Sequence, residues 1–258
     1  MTVKSEKDLK ALREGGKRLA FVLSEVVKLV KPGASARELD ILAERLIKEG
    51  GDTPSFLNYT PDGAERPYPA TLCVSINEEV VHGIPNEDDK FLKEGDIVGL
   101  DIGLWHDGIC VDMAVTVPVG EVSQLAKKLI DTTRESLKVG IKECTIGKNI
   151  NDIGCAIEKF VKSLKPSGFG IVEELGGHGV GKKVHEKPYI PNFCLGGESP
   201  KITEGMVLAL EPMLNEGTKE VVLDNDGYTF KTADNKLSAH FEHTVLVTKK
   251  GPEIITVL

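Results

Sequence analysis

Asp101 sits inside DIVGLDIGLW (96–105), a nearly continuous apolar run of the kind shown by a strand covered on both faces. An unpaired carboxylate in such a place costs several kcal/mol or is driven to protonate, so it calls for a cation. The next residues, His106-Asp107-Gly108, contain Asp-Gly, the strongest short hairpin signal. With Asp107 and Gly108 as the turn pair, facing residues carry numbers summing to 215, so Asp101 opposes Ala114 and Asp112 opposes Gly103. Asp112 then shares a face with Ala114 and lies diagonally from Asp101, roughly 7 Å away between backbones. Two carboxylates at that range can converge on one ion or a pair of ions. A solvated edge position is the alternative for Asp112 taken alone, and a three-residue turn would put the two acids on opposite faces.

Histidines supply the second set of chemical groups. His178 lies in GGHGVGKKVHEKP (176–188), whose glycines allow close backbone approach, and His185 follows it in the same string. His82 stands in NEEVVHGIP (77–85). His106 in the hairpin turn and His240 read as structural, and His243 points to the face opposite Glu242 in a regular strand.

The elements that must position these groups are written twice. Leu9, Leu12, Leu19, Leu23, Val26 and Val30 share one helical face, which Pro32-Gly33 ends. Ser35 opens a second helix, with Glu38 in capping-box position and Leu39, Leu42, Leu46 and Ile47 on its apolar side. The plan returns 114 residues later. Leu125, Leu129, Leu137 and Ile141 form the stripe, Gly147 breaks it, and Asn149 and Asp152 take the cap positions. Ile153, Ile157, Phe160 and Val161 then repeat the spacing of Leu39, Ala43, Leu46 and Ile47. EGDIVGLD, ending at Asp101, matches EGMVLALE, ending at Glu211, and VDMAVTV around Asp112 resembles FEHTVLV around Glu242.

Glu211 and Glu242 are therefore the repeat images of Asp101 and Asp112. Two pseudo-equivalent strand pairs bring four acidic groups toward one centre, where they repel unless divalent ions hold them. With His178 added, the donor set is oxygen-rich and suits a pair of manganese, iron, cobalt or zinc ions. Short turns at 118–123 and 165–170 leave no linker, so residues 1–258 read as one domain of two diverged halves, roughly 1–120 and 121–258.

Composition narrows the partners. With 32 Lys plus Arg against 40 Asp plus Glu, the net charge is −8, and no basic run offers a footprint for nucleic acid. No apolar stretch approaches the ~20 residues of a membrane span, and MTVKSEKDLKALREGG lacks the apolar segment of a signal peptide, which points to the cytoplasm. The five cysteines form no C-x-x-C pair and are expected to be reduced and mostly buried.

The set Asp101, Asp112, His178, Glu211 and Glu242, with the strings INEEVVHGIP, GGHGVGKKVHEKP, LALEPM and FEHTVLVT, resembles the five metal ligands and sequence blocks of the type I methionine aminopeptidases. The resemblance covers nearly the whole chain. It implies the pita-bread α+β fold, with pseudo-twofold duplicated half-domains of helices around a curved, mainly antiparallel sheet. It also implies a dinuclear hydrolase that removes the initiator methionine from nascent proteins and peptides when the second residue is small, by attack of a metal-bridging hydroxide on the scissile carbonyl. Asp112 and Glu242 would bridge the two divalent ions, Asp101 would complete one shell, and His178 and Glu211 the other. Glu211 would shuttle the proton, His82 would contact the scissile amide nitrogen, and His185 would donate to the developing oxyanion.

The implied partners are the N-termini of nascent polypeptides, met by a monomer with at most transient ribosome contact. Tyr59, Tyr68, Cys73 and Tyr228 are the candidates for the methionine side-chain pocket. The chain departs from the type I pattern at Val184, where an aromatic residue is usual, at Tyr228, where tryptophan is expected, and in a longer segment 56–73. The alternatives are an X-Pro peptidase of the same fold and a non-catalytic peptide-binding module. The extra domain of the first does not fit in 258 residues, and the second should have lost ligands.

Overall fold

A computed structural model describes residues 2–3, 5–164 and 168–257; residues 165–167, inside the second expected turn, lie outside the described ones. The first apolar stripe forms α1 (Glu6–Val27), capped by Ser5, whose hydroxyl accepts the Asp8 amide at 3.0 Å. The helix stops short of Pro32-Gly33 and leaves Val30 outside. The Leu29 and Val30 amides bond the Val26 and Val27 carbonyls, a tighter i to i+3 turn that ends the α-helix early. Ser35 precedes α2 (Ala36–Glu49), but its side chain makes no capping bond. Backbone bonding holds that entry instead: Ser35 bridges Phe91, and the Ala36 amide donates to the Lys90 carbonyl.

In chain order there follow β1 (Thr53–Pro54), β2 (Leu72–Ile76), β3 (Glu79–Val81), β4 (Ile97–His106), β5 (Ile109–Pro118), α3 (Gln124–Glu143) and α4 (Ile150–Ser163). Next come β6 (Gly170–Ile171), β7 (Gly176–Gly179), β8 (Glu186–Pro191), β9 (Val207–Leu210) and β10 (Met213–Asn215). The last are β11 (Val221–Leu223), β12 (Phe230–Thr232), β13 (Ser238–His240), β14 (Glu242–Thr248) and β15 (Gly251–Ile254). Leu129, Leu137 and Ile141 of α3 are buried as the stripe requires, whereas Leu125, at its first turn, stays exposed. At α4, Asp152 does close its cap, accepting the Asn149 amide at 2.8 Å.

The repeat in the sequence is also a repeat of hydrogen bonds. Gly33 donates to Leu92 O and Ala36 to Lys90 O; their images, Gly147 and Ile150, donate to Ile202 O and Pro200 O. The bridge Ser35 to Phe91 recurs as Asn149 to Lys201. Gly33 and Gly147 take φ of 86° and 88°. These matched bonds repeat the local structure of the first helix pair at the second, as the sequence repeat requires.

Seven strands lie in the order β1-β4-β5-β14-β9-β7-β8, and β2 on β4 and β15 on β14 complete a nine-stranded sheet among the described residues. Smaller sheets run β13-β10-β6 and β11-β12-β3. Two apolar clusters form, one around each helix pair. Leu12, Leu19, Leu23 and Leu39 of the first helix pair pack with Leu100, Ile102 and Val111, while Leu129, Leu137, Ile153 and Ile157 pack with Leu208, Leu210 and Val245. Residues alternate along β4, so burying Leu100 and Ile102 on the helix side turns Asp101 to the other face.

One expectation from composition fails. Cys73, Cys110 and Cys144 are free and buried, but Cys155 and Cys194 form a disulfide. Their 39-residue separation carries no local signal. They meet because α4 packs on the segment leaving β8, where Gly154 lies so close to the Pro191 and Phe193 carbonyls that a Cβ would stand 2.4 and 2.3 Å from them.

Candidate metal centre

The Asp107-Gly108 turn forms with both residues at positive φ, 47° and 77°, the type I′ pattern. Its register pairs Asp101 with Ala114 and Gly103 with Asp112, as the two-residue turn requires. Ala114 in turn faces Glu242, and His243 faces Leu210, which brings Glu211 abreast of Glu242 one residue beyond the ladder. His178 faces Ala209 on the far side of β9. By the two-residue alternation of strands, Asp101, Asp112, Glu242, Glu211 and His178 all project from one face. Cys73, opposite Asp101 on β2, lengthens the row.

Close strand packing sets the spacing. Thr244 locks Asp112 by accepting its amide at 2.9 Å and donating to its carbonyl at 2.7 Å. Gly177, beside His178, has the Ala209 carbonyl 2.3 Å from where a Cβ would be. The glycines of that motif therefore serve approach of the neighbouring strands. One ligand-capable atom each from Asp112, His178 and Glu242 lies within 4.8 Å of the others. His178 Nε2 is 3.5 Å from Glu211 Oε1, and its Nδ1 is satisfied by the Gly179 carbonyl at 2.9 Å.

The electrostatics are those of closely packed, buried acids. Asp101, Asp112 and Glu242 are 8, 3 and 2 % exposed, and one carboxylate oxygen of each is buried with no hydrogen-bond partner. Burial pushes the Asp101 pKa up to about 7. Burial first, then the neighbouring acids, raises Asp112, Glu211 and Glu242 well above the usual carboxylate range. Burial lowers His178 to about 3 and His82 to about 4, leaving both rings neutral at pH 7. Buried carboxylate oxygens without donors, beside neutral imidazoles, form a donor set that fits divalent cations.

Around this row the structure gathers the other sequence candidates. His82, just after β3, takes φ of 59°, a conformation that side-chain-bearing residues adopt rarely. The His185 ring stands edge-on to His178 with centroids 4.6 Å apart. His82, His185, Tyr59, Tyr68, Cys73 and Tyr228 line one cavity with the four acids and His178; Phe56 and Pro61 join them. Phe56 and Pro61 carried no signal of their own in the sequence. Segment 56–73 is stitched down over the cavity. Arg66 pairs with Glu87 and stacks on Tyr228, whose hydroxyl donates to the Arg66 carbonyl, while Tyr68 donates to Gly83 O at 3.0 Å. Val184 is buried and does not line the cavity.

His106 is structural, its Nδ1 2.7 Å from Asp52 Oδ1, and His243 turns away to Thr256. His240, expected to be structural, borders the site. Its buried Nε2 has no hydrogen-bond partner and lies 3.7 Å from Glu211 Oε2. Strand alternation did not give this placement, because His240 ends β13 in one sheet and Glu242 opens β14 in another.

The sequence pattern of metallopeptidase family M24 matches residues 10–249. The chain belongs to metallopeptidase family M24. As an M24 enzyme it is a metal-dependent hydrolase. It is similar to a methionine aminopeptidase of Aquifex aeolicus, 44% identical over 98% of both chains, and to one of Clostridium perfringens, 42% identical over 99% of this chain and 98% of the relative. The crystal structure of methionine aminopeptidase from Thermotoga maritima superposes with a TM-score of 0.92 at 39% identity, covering 100% of both chains. The type I resemblance seen in the motifs thus extends along the M24 chain and through its fold.

Proposed function

We propose that this M24 enzyme removes the initiator methionine from nascent polypeptides, with a small residue preferred in second place. The convergence of Asp101, Asp112, His178, Glu211 and Glu242 on one sheet face, beside a cavity walled by Phe56, Tyr59, Tyr68, Cys73 and Tyr228, carries this reading. The five would hold two divalent ions, cobalt, manganese, iron or zinc. When bound, the ions would supply a hydroxide near neutral pH and polarise the scissile carbonyl.

The chain's own residues do the rest. Glu211 takes up the proton of the attacking water and passes it to the leaving amine. His185 donates to the carbonyl oxygen as negative charge develops there, an interaction stronger in the transition state than in the ground state. His82 contacts the scissile amide nitrogen. The apolar and aromatic wall suits a thioether side chain.

The enzyme acts as a cytoplasmic monomer with at most passing ribosome contact and no nucleic-acid ligand. Among the described residues no helix is long and apolar enough to cross a membrane. The Cys155–Cys194 disulfide is the feature that runs against a reducing compartment.

The test is turnover of Met-Ala-Ser, an Xaa-Pro peptide and acetylated Met-Ala-Ser after reconstitution with each metal, beside Asp112→Asn. Cleavage of Met-Ala-Ser alone, lost in the variant, is the expected result. Faster cleavage of the Xaa-Pro peptide would overturn the substrate assignment, and undiminished turnover by Asp112→Asn would overturn the dinuclear site.

A further inference from the structure

The geometry points to Tyr59 as the positioning residue that fixes the tautomer of His185. The Tyr59 hydroxyl oxygen lies 3.1 Å from His185 Nδ1, and the two rings meet edge-on with centroids 5.4 Å apart. A neutral imidazole has one donor and one acceptor nitrogen, so the partner of Nδ1 decides what Nε2 can do. The phenol is a stronger acid than an imidazole N–H, and the unprotonated ring nitrogen is a stronger acceptor than the phenol oxygen. Tyr59 therefore donates, Nδ1 accepts, and the proton stays on Nε2. This inference rests on the oxyanion role proposed for His185, which requires that Nε2–H.

The sequence makes Tyr59 a fixed point within a long segment. Its amide donates to Phe56 O at 2.9 Å, its carbonyl accepts the Tyr68 amide at 2.8 Å, and the Asn58 amide donates to Tyr68 O at 2.9 Å. These bonds pinch the segment into a neck at residues 58, 59 and 68, with Asn58 at φ 65° and residues 60–67 looping beyond it. His178 offers a parallel: a carbonyl on its Nδ1 leaves Nε2 for the site. For His185 the corresponding partner is a side chain supplied by the lengthened segment. The Tyr59 ring thus walls the cavity while its hydroxyl serves the histidine.

The experiment compares wild type, Tyr59→Phe, His185→Ala and the double variant as zinc-loaded, 15N-histidine-labelled protein. Long-range 1H–15N correlation reads the His185 tautomer without any turnover. Expected are the Nε2–H form in wild type and a mixed or Nδ1–H form in Tyr59→Phe. With Met-Ala-Ser, Tyr59→Phe should lower kcat about tenfold with KM within about twofold, and should have no further effect in the His185→Ala background. An unchanged tautomer, a loss confined to KM, or additive losses in the double variant would overturn the assignment. Undiminished kcat in His185→Ala would instead overturn the oxyanion role, while the 15N result would still decide what Tyr59 does.

Discussion

Asp101→Asn should stabilise the metal-free protein at alkaline pH while abolishing its activity. Burial pushes the Asp101 pKa up to about 7 from an ordinary 3.8. Between those values the native chain keeps a proton that the unfolded chain releases, so stability falls as pH rises through that window. The gap amounts to a few kcal/mol at pH 8 and shrinks to under about 1 kcal/mol at pH 4. Asparagine has nearly the same volume and no charge to bury, so it removes the penalty without opening a cavity. For a chain of this size the gain corresponds to a rise in Tm of about 10 °C at pH 8. The assay is thermal melting in chelator at pH 4 and pH 8, followed by circular dichroism, beside turnover of Met-Ala-Ser after metal is returned. With metal present the order should reverse, since the native state of the variant has lost a ligand. A variant that melts at or below wild type at pH 8, or that shows the same gap at both pH values, would refute the reasoning.

Gly177→Ala should cost about 1–3 kcal/mol and most of kcat, because its Cβ would come 2.3 Å from the Ala209 carbonyl and force β7, with His178, away from β9. Urea midpoints and kcat check this; a stable, fully active variant contradicts it. Replacing Cys155 and Cys194 together by serine opens a loop between residues 39 apart and should lower stability by about 4 kcal/mol. Urea melts with and without dithiothreitol test it, and a reductant-insensitive wild type equal to the variant would show that the bridge contributes nothing.

The sequence by itself determined what depends on neighbours along the chain. The Asp107-Gly108 turn fixed the register of its hairpin because a two-residue turn admits one pairing, and this put Asp101 and Asp112 on one face. The duplicated strings named Glu211 and Glu242 because each half buries the same pattern against its own helices. Helix ends were less legible: α1 stops before Pro32, and Ser35 leaves its cap to backbone bonds, since partners such as Lys90 and Phe91 are distant in sequence. Only the tertiary structure decided which surfaces of separate elements meet. It set His240 beside Glu211, joined Cys155 to Cys194, and carried the neck of segment 56–73 to His185. Such contacts arise from how whole elements pack, and no spacing within one element encodes them.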